Sequence, residues 1–214
     1  AATAINVGVR RAAEPGAGPD RSDLRDVVRE HRTGSLVIVT VDASGSMGAE
    51  RRMAIAKGAV LELLTHAYQQ RDRVALVTFR GDRADVVLRP TGSIEIARAR
   101  TVALPTGGAT PLAAGLVAAG TLAQDARNQD LEPLIVLITD GRATSGGDDP
   151  VATARREAER VARTGVRGVV VDAELGASRL GLAREFAQVL RYDWIPLERF
   201  TAGHVTELAR LAGA

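Results

Sequence analysis

Three stretches of the chain run apolar without the alternation of a half-exposed strand: LVIVTV at 36–41, PLIVLIT at 133–139 and VRGVVVDA at 166–173. Continuous β-branched runs of this length predict central strands covered on both faces. Between them the period changes. Met53, Ala56, Val60, Leu63, Leu64 and Ala67 recur at helical spacing, which predicts one long amphipathic helix after the first strand. RVALVTF (73–79) and ADVVL (84–88) read as strands joined by little more than RGDR. That link is too short for a parallel crossover and predicts an antiparallel hairpin at a sheet edge.

Further helices are expected over SIEIARARTV with Ser93 as cap, from Pro111 in a first turn to about Asn128, and over DPVATARREAERVART. Asp149 is the expected cap of the last of these and Gly165 its stop. RLGLAREFAQVL is a helix, DWIPL a short edge strand and AGHVTELARL a closing helix. Repeated strand–helix alternation predicts an α/β fold: a doubly wound, mostly parallel sheet with one antiparallel edge strand and helices on both faces. Residues 1–34 stand apart as a linker and N-terminal arm, with Gly/Pro-rich AAEPGAGPD at 12–20 and Ser22 placed to cap a short helix. The domain proper is expected over 35–214.

In such sheets ligands gather at the carboxyl ends of the strands, near the switch point in strand order. The first apolar run ends there in DASGSM, placing Asp42, Ser44 and Ser46 together, with Gly45 shaping the loop. The second ends in Asp140-Gly141. Between them PTGGATPL carries Thr110 behind Gly107 and Gly108, two residues that allow a tight, close-approaching loop. Two carboxylates and three hydroxyls form a hard-oxygen set suited to Mg²⁺, with Mn²⁺ or Ca²⁺ as alternatives, and unsuited to zinc or copper. Two carboxylates balance a divalent ion, leaving a site that accepts a carboxylate from another protein. Each piece has a plainer reading as helix cap or turn; the three together at one sheet edge favour the metal.

Composition narrows the alternatives. The chain has 214 residues, a net charge of +2 and 3% aromatics, which gives no case for nucleic-acid binding. The absence of cysteine excludes disulfides and thiolate chemistry. No apolar run approaches a membrane span and no signal-peptide pattern is present, so a cytoplasmic location is expected. The chain begins without Met, which leaves upstream domains open. No histidine among His31, His66 and His204 is expected at the ligand edge, and neither a GxSxG elbow nor a GK[ST] motif occurs. An aspartyl phosphatase would need a second acid where Ser44 stands. RGD at 80–82 reads as hairpin-turn chemistry. The charged helix ARREAERVAR, where Glu157 faces Arg160 or Arg156 faces Glu159, reads as a solvated face.

DASGSM, Thr110 in GGATPL and ITDG resemble the metal-ion-dependent adhesion site of von Willebrand factor A (integrin I-like) domains. The resemblance implies Ser44, Ser46 and Thr110 as direct or near-direct ligands, with Asp42 and Asp140 binding directly or through water. DLRDVVREHRTGSLVIVTVDASGSMG, the helix that follows and LPTGGATPLAAGL further resemble the C-terminal domain of magnesium chelatase D subunits. That likeness implies a non-catalytic subunit coupling an AAA+ ATPase subunit to a large porphyrin-binding subunit that inserts metal into a tetrapyrrole. Contact would run through a partner Asp or Glu at the metal. A cobalt chelatase, or an unrelated complex using the same interaction fold, are the alternatives it leaves open.

Overall fold

The computed structural model describes residues 34–48, 50–104, 106–174 and 180–212, with side chains at all of these except 46, 48, 50, 51 and 208–212. The linker and capped arm expected over 1–34 therefore lie outside the described residues, Gly34 excepted.

Six strands form one sheet: β1 (Ser35–Asp42), β2 (Arg73–Arg80), β3 (Arg83–Thr91), β4 (Glu132–Thr139), β5 (Arg167–Asp172) and β6 (Asp193–Pro196). Their spatial order is β3-β2-β1-β4-β5-β6. All neighbours are parallel except β2 and β3. The hairpin expected at the edge is present, and Gly81 and Asp82 alone separate its strands. The order reverses between β1 and β4, so the crevice at the switch point opens between the ends of those two strands.

The helices are α1 (Glu50–Gln70), α2 (Ile94–Val102), α3 (Leu112–Arg127), α4 (Pro150–Arg163), α5 (Leu182–Leu190) and α6 (Ala202–Ala212). Period-2 geometry explains why the central strands are apolar throughout. Val37, Val39 and Val41 of β1 face one core with Met53, Ala56, Val60, Leu63 and Leu64 of α1. Leu36 and Ile38 face the other, with Leu116 of α3 and Ala158 of α4. Each fully buried Val, Leu or Ile contributes ~1.5–3 kcal/mol of transfer free energy.

Local chemistry sets the helix ends. Ser93 Oγ accepts from Ile96 N–H at 3.5 Å and Asp149 Oδ1 from Ala152 N–H at 2.9 Å, both as expected from sequence. Gly165, at φ +69, follows the last turn of α4. Pro111 differs from expectation: it is the residue before the helix, which begins at Leu112. Its ring removes a donor that no helix start uses, so either place suits it. Glu157 pairs with Arg160 at 2.7 Å, whereas Arg156 donates to Thr153 instead of reaching Glu159. Among the described residues no helix is long and apolar enough to cross a membrane.

Where α3 crosses β2, Gly115 lies under the fully buried Phe79 ring, and a Cβ there would stand 2.6 Å from Phe79 Cδ1. Gly115→Ala is expected to lower stability by ~1–3 kcal/mol through overpacking. A urea melt with unchanged midpoint would show that the ring moves freely.

Candidate metal centre

Asp42 ends β1 and is fully buried. Ser44 folds back on it, its backbone N–H donating to Asp42 Oδ1 at 2.9 Å and its side chain adding a second hydrogen bond. Gly45–Gly48 then form a short 3₁₀ turn, and α1 starts only at Glu50. Asp42 is thus not the cap of that helix. Ser46 is the second residue of the turn; its side chain lies outside the described residues.

The loop carrying Thr110 is stitched to this turn through its backbone. Gly107 N–H donates to Ala43 C=O at 2.9 Å, and Gly45 N–H donates to Gly108 C=O at 2.8 Å. On its other side Gly81 N–H donates to Ala109 C=O at 2.8 Å. Gly108, at φ +87, approaches so closely that a Cβ would sit 3.2 Å from Gly81 N. Thr110 is held by its backbone: its N–H donates to Thr144 Oγ1 at 2.8 Å, and its carbonyl accepts from Thr144 and Ser145. No side chain caps the start of α3, and Thr110 itself is buried.

Asp140 follows β4 directly and is also buried. Its Oδ1 accepts from Arg142 N–H at 3.1 Å. Its Oδ2 is buried with no hydrogen-bond partner, and the Arg142 Nε lies 3.6 Å away. Burial pushes the Asp42 carboxyl up to about 6, opposed by hydrogen bonds from Ser44 and Thr139, with the Asp140 charge adding to the rise. Two carboxylates confined together and an orphaned anionic oxygen fit a divalent cation. The Asp42 carboxylate accepts from Ser44 N–H on Oδ1, from the Thr139 hydroxyl on Oδ2 and from the Ser44 side chain, which leaves part of its lone-pair capacity for a cation. Among the described residues no three His, Asp or Glu groups converge on a metal position; this set relies on hydroxyls beside two acids.

Of the residues singled out from sequence, Asp42, Ser44, Gly45, Gly107, Gly108, Thr110, Asp140 and Gly141 therefore come together at the switch point. Thr139 was not singled out, yet it joins the two acids: its hydroxyl donates to Asp42 Oδ2 and accepts from Gly141 N–H, both at 3.0 Å. Only the strand register reveals it, since Val41 pairs with Ile138 and the next step sets Thr139 beside Asp42. Gly81 was read only as a turn residue. Asp172 and Glu174, buried at the end of β5, were also missed; Asp172 accepts from Trp194 Nε1 and Glu174 from Leu180 and Gly181 N–H, so both brace loops.

The chain carries a von Willebrand factor type A domain: the sheet order and helices match that fold, and the family model of that description matches residues 37–142. Its sequence relatives are more particular, for it is homologous to part of the magnesium-chelatase 60 and 67 kDa subunits. It is 37% identical over 216 residues to the 60 kDa subunit of Rhodobacter capsulatus, covering 94% of this chain and 37% of that one. The 67 kDa subunit of Chlorobaculum parvum is 40% identical over 181 residues, 77% of this chain and 29% of that one. An uncharacterised protein of Mycobacterium tuberculosis is 46% identical over 200 residues, 91% of this chain and 32% of that one. The chain spans about a third of the length of these relatives.

Solved structures share the fold at low identity. The von Willebrand factor domain of a type V pilus tip protein from Porphyromonas gingivalis superposes with TM-score 0.67 at 13% identity, covering 84% of this chain and 95% of that one. A manganese-loaded TRAP protein of Plasmodium vivax does so with TM-score 0.64 at 17% identity, covering 85% and 74%.

Proposed function

We propose that the chain is a metal-dependent protein-interaction domain working within a metal chelatase, where it joins an AAA+ ATPase subunit to a large tetrapyrrole-binding subunit. The observation that carries the metal is the buried, unpartnered Oδ2 of Asp140 beside Asp42. Homology to magnesium-chelatase subunits supports the chelatase setting, and the manganese-loaded Plasmodium protein supports a hard divalent ion in this fold.

Asp42, Ser44, Ser46, Thr110 and Asp140 would hold Mg²⁺, with Mn²⁺ or Ca²⁺ as substitutes. When bound, the ion supplies a Lewis-acidic position that a carboxylate of another protein fills. The chain's own residues prepare that position. Thr139 and Ser44 fix the Asp42 carboxylate, and the backbone bonds from Ala43 to Gly107 and from Gly45 to Gly108 fix where Thr110 stands. The role is binding: His66 contacts Thr206 and His204 contacts Thr201, so neither sits as a base beside Ser44. The resident ion is separate from the metal that the complex inserts.

A tagged chain is expected to recover an AAA+ ATPase or a large tetrapyrrole-binding subunit from native lysate in Mg²⁺ and to lose it in EDTA. Asp42→Ala should lose it in both. Equal recovery by that variant in Mg²⁺ would contradict a metal bridge.

A further inference from the structure

We propose that Arg142 forms the second half of a carboxylate-binding site: its guanidinium neutralises Asp140 while no metal is bound, then grips the incoming carboxylate of a partner once a divalent ion has taken over that task. This rests on the metal reading above.

Position comes first. Arg142 follows Gly141, and its own N–H is bonded to Asp140 Oδ1, which fixes its backbone at the rim of the crevice. Its side chain is half exposed, at 48%, whereas the Asp140 side chain is 1% exposed. An arginine thus reaches inward from solvent to a buried carboxylate oxygen that has no hydrogen-bond donor.

The contact is loose. At 3.6 Å the Nε lies outside hydrogen-bond range of Oδ2. Among the described residues no other hydrogen bond or ion pair engages this guanidinium, so little opposes its release. A divalent ion at Asp140 would remove the charge that draws Arg142 in and repel it across a few ångströms.

Charge then decides what the released group does. Two carboxylates neutralise a divalent ion, and Arg142 leaves the mouth of the site with one positive charge in excess. Its planar fork of N–H donors matches a carboxylate in two-point geometry, which a lysine cannot reproduce. A partner Asp or Glu would then meet the ion with one oxygen and the guanidinium with the other. A neutral or cationic group would meet neither.

The test uses Mg²⁺ alone, followed by N-acetyl-glutamate N-methylamide added to the Mg²⁺-saturated chain, with calorimetry for the ion and NMR shifts for the glutamate. Arg142→Gln keeps the backbone N–H. It is expected to bind Mg²⁺ about 5-fold tighter, because a competing cation is gone, and the glutamate at least about 5-fold weaker. Arg142→Lys, charged but without the fork, should fall between on both. A merely structural arginine would weaken both affinities together, and that result, or no change in either, overturns the inference. If Asp42→Asn abolishes Mg²⁺ binding while Arg142→Gln matches wild type, this inference alone fails. If the wild type binds no Mg²⁺, it falls with the metal reading.

Discussion

Asp42→Asn is expected to stabilise the metal-free domain at pH 8 by about 1–3 kcal/mol relative to wild type, while removing its response to Mg²⁺. Burial raises the Asp42 carboxyl from 3.8 to about 6. A folded-state value above the unfolded one means that the native chain holds more protons between those limits. Stability therefore falls as pH rises from about 4 to 6, and above that window the full penalty, about 3 kcal/mol, applies. Asn removes the charge at nearly the same shape. Its carbonyl still accepts from Ser44 N–H and its amide can face the Thr139 hydroxyl, so part of the gain is kept. Thermal melts in EDTA at pH 4.5 and 8 decide it: the wild type should lose stability between them and the variant should not. Mg²⁺ at about a hundred times its dissociation constant should return about 2.7 kcal/mol to the wild type alone. A variant less stable than wild type at pH 8 in EDTA would contradict a destabilising buried charge at Asp42.

Gly141→Ala should be costlier than any other single methyl in the site. Gly141 sits at φ +78, and a Cβ there would enter the backbone of Leu182 and Ala183 at the start of α5. Left-handed backbone costs an L-residue ~1–2 kcal/mol and overpacking ~1–3 kcal/mol more. A loss of at least about 3 kcal/mol in a denaturant melt is expected, with the Asp140 loop displaced from β5 and α5. Gly107→Ala is the control: its φ of +118 is strained, but nothing lies within 4 Å of the added carbon. It should cost less by the overpacking contribution. Equal losses at the two positions would mean that α5 yields to the methyl at 141.

What was legible from sequence was whatever chemistry leaves on one segment. β1, β4 and β5 announce themselves because both faces are buried, so Leu36 and Val37 are equally apolar although they enter different cores. The β2–β3 hairpin follows from a link too short for a crossover. Asp42, Ser44 and Asp140 are legible because they follow directly on apolar strands, and Thr110 because it follows a Gly-Gly pair just before a helix. The other half of the site is made by neighbours distant in sequence. Thr139 looks like the last residue of an apolar strand, and only its register beside Asp42 makes it a link between the two acids. Gly81 looks like any hairpin glycine, and only the approach of Gly108 shows that it sets the Thr110 loop. Arg142 is one of many arginines until Asp140 Oδ2 is seen without a donor.

These acids and hydroxyls are proposed to hold one divalent ion. Calorimetric titration of Mg²⁺ into the wild-type chain and Asp42→Asn at pH 7.5 tests it most directly. One site in the wild type and none in the variant is the predicted result. No binding by the wild type, or equal binding by both, would contradict it.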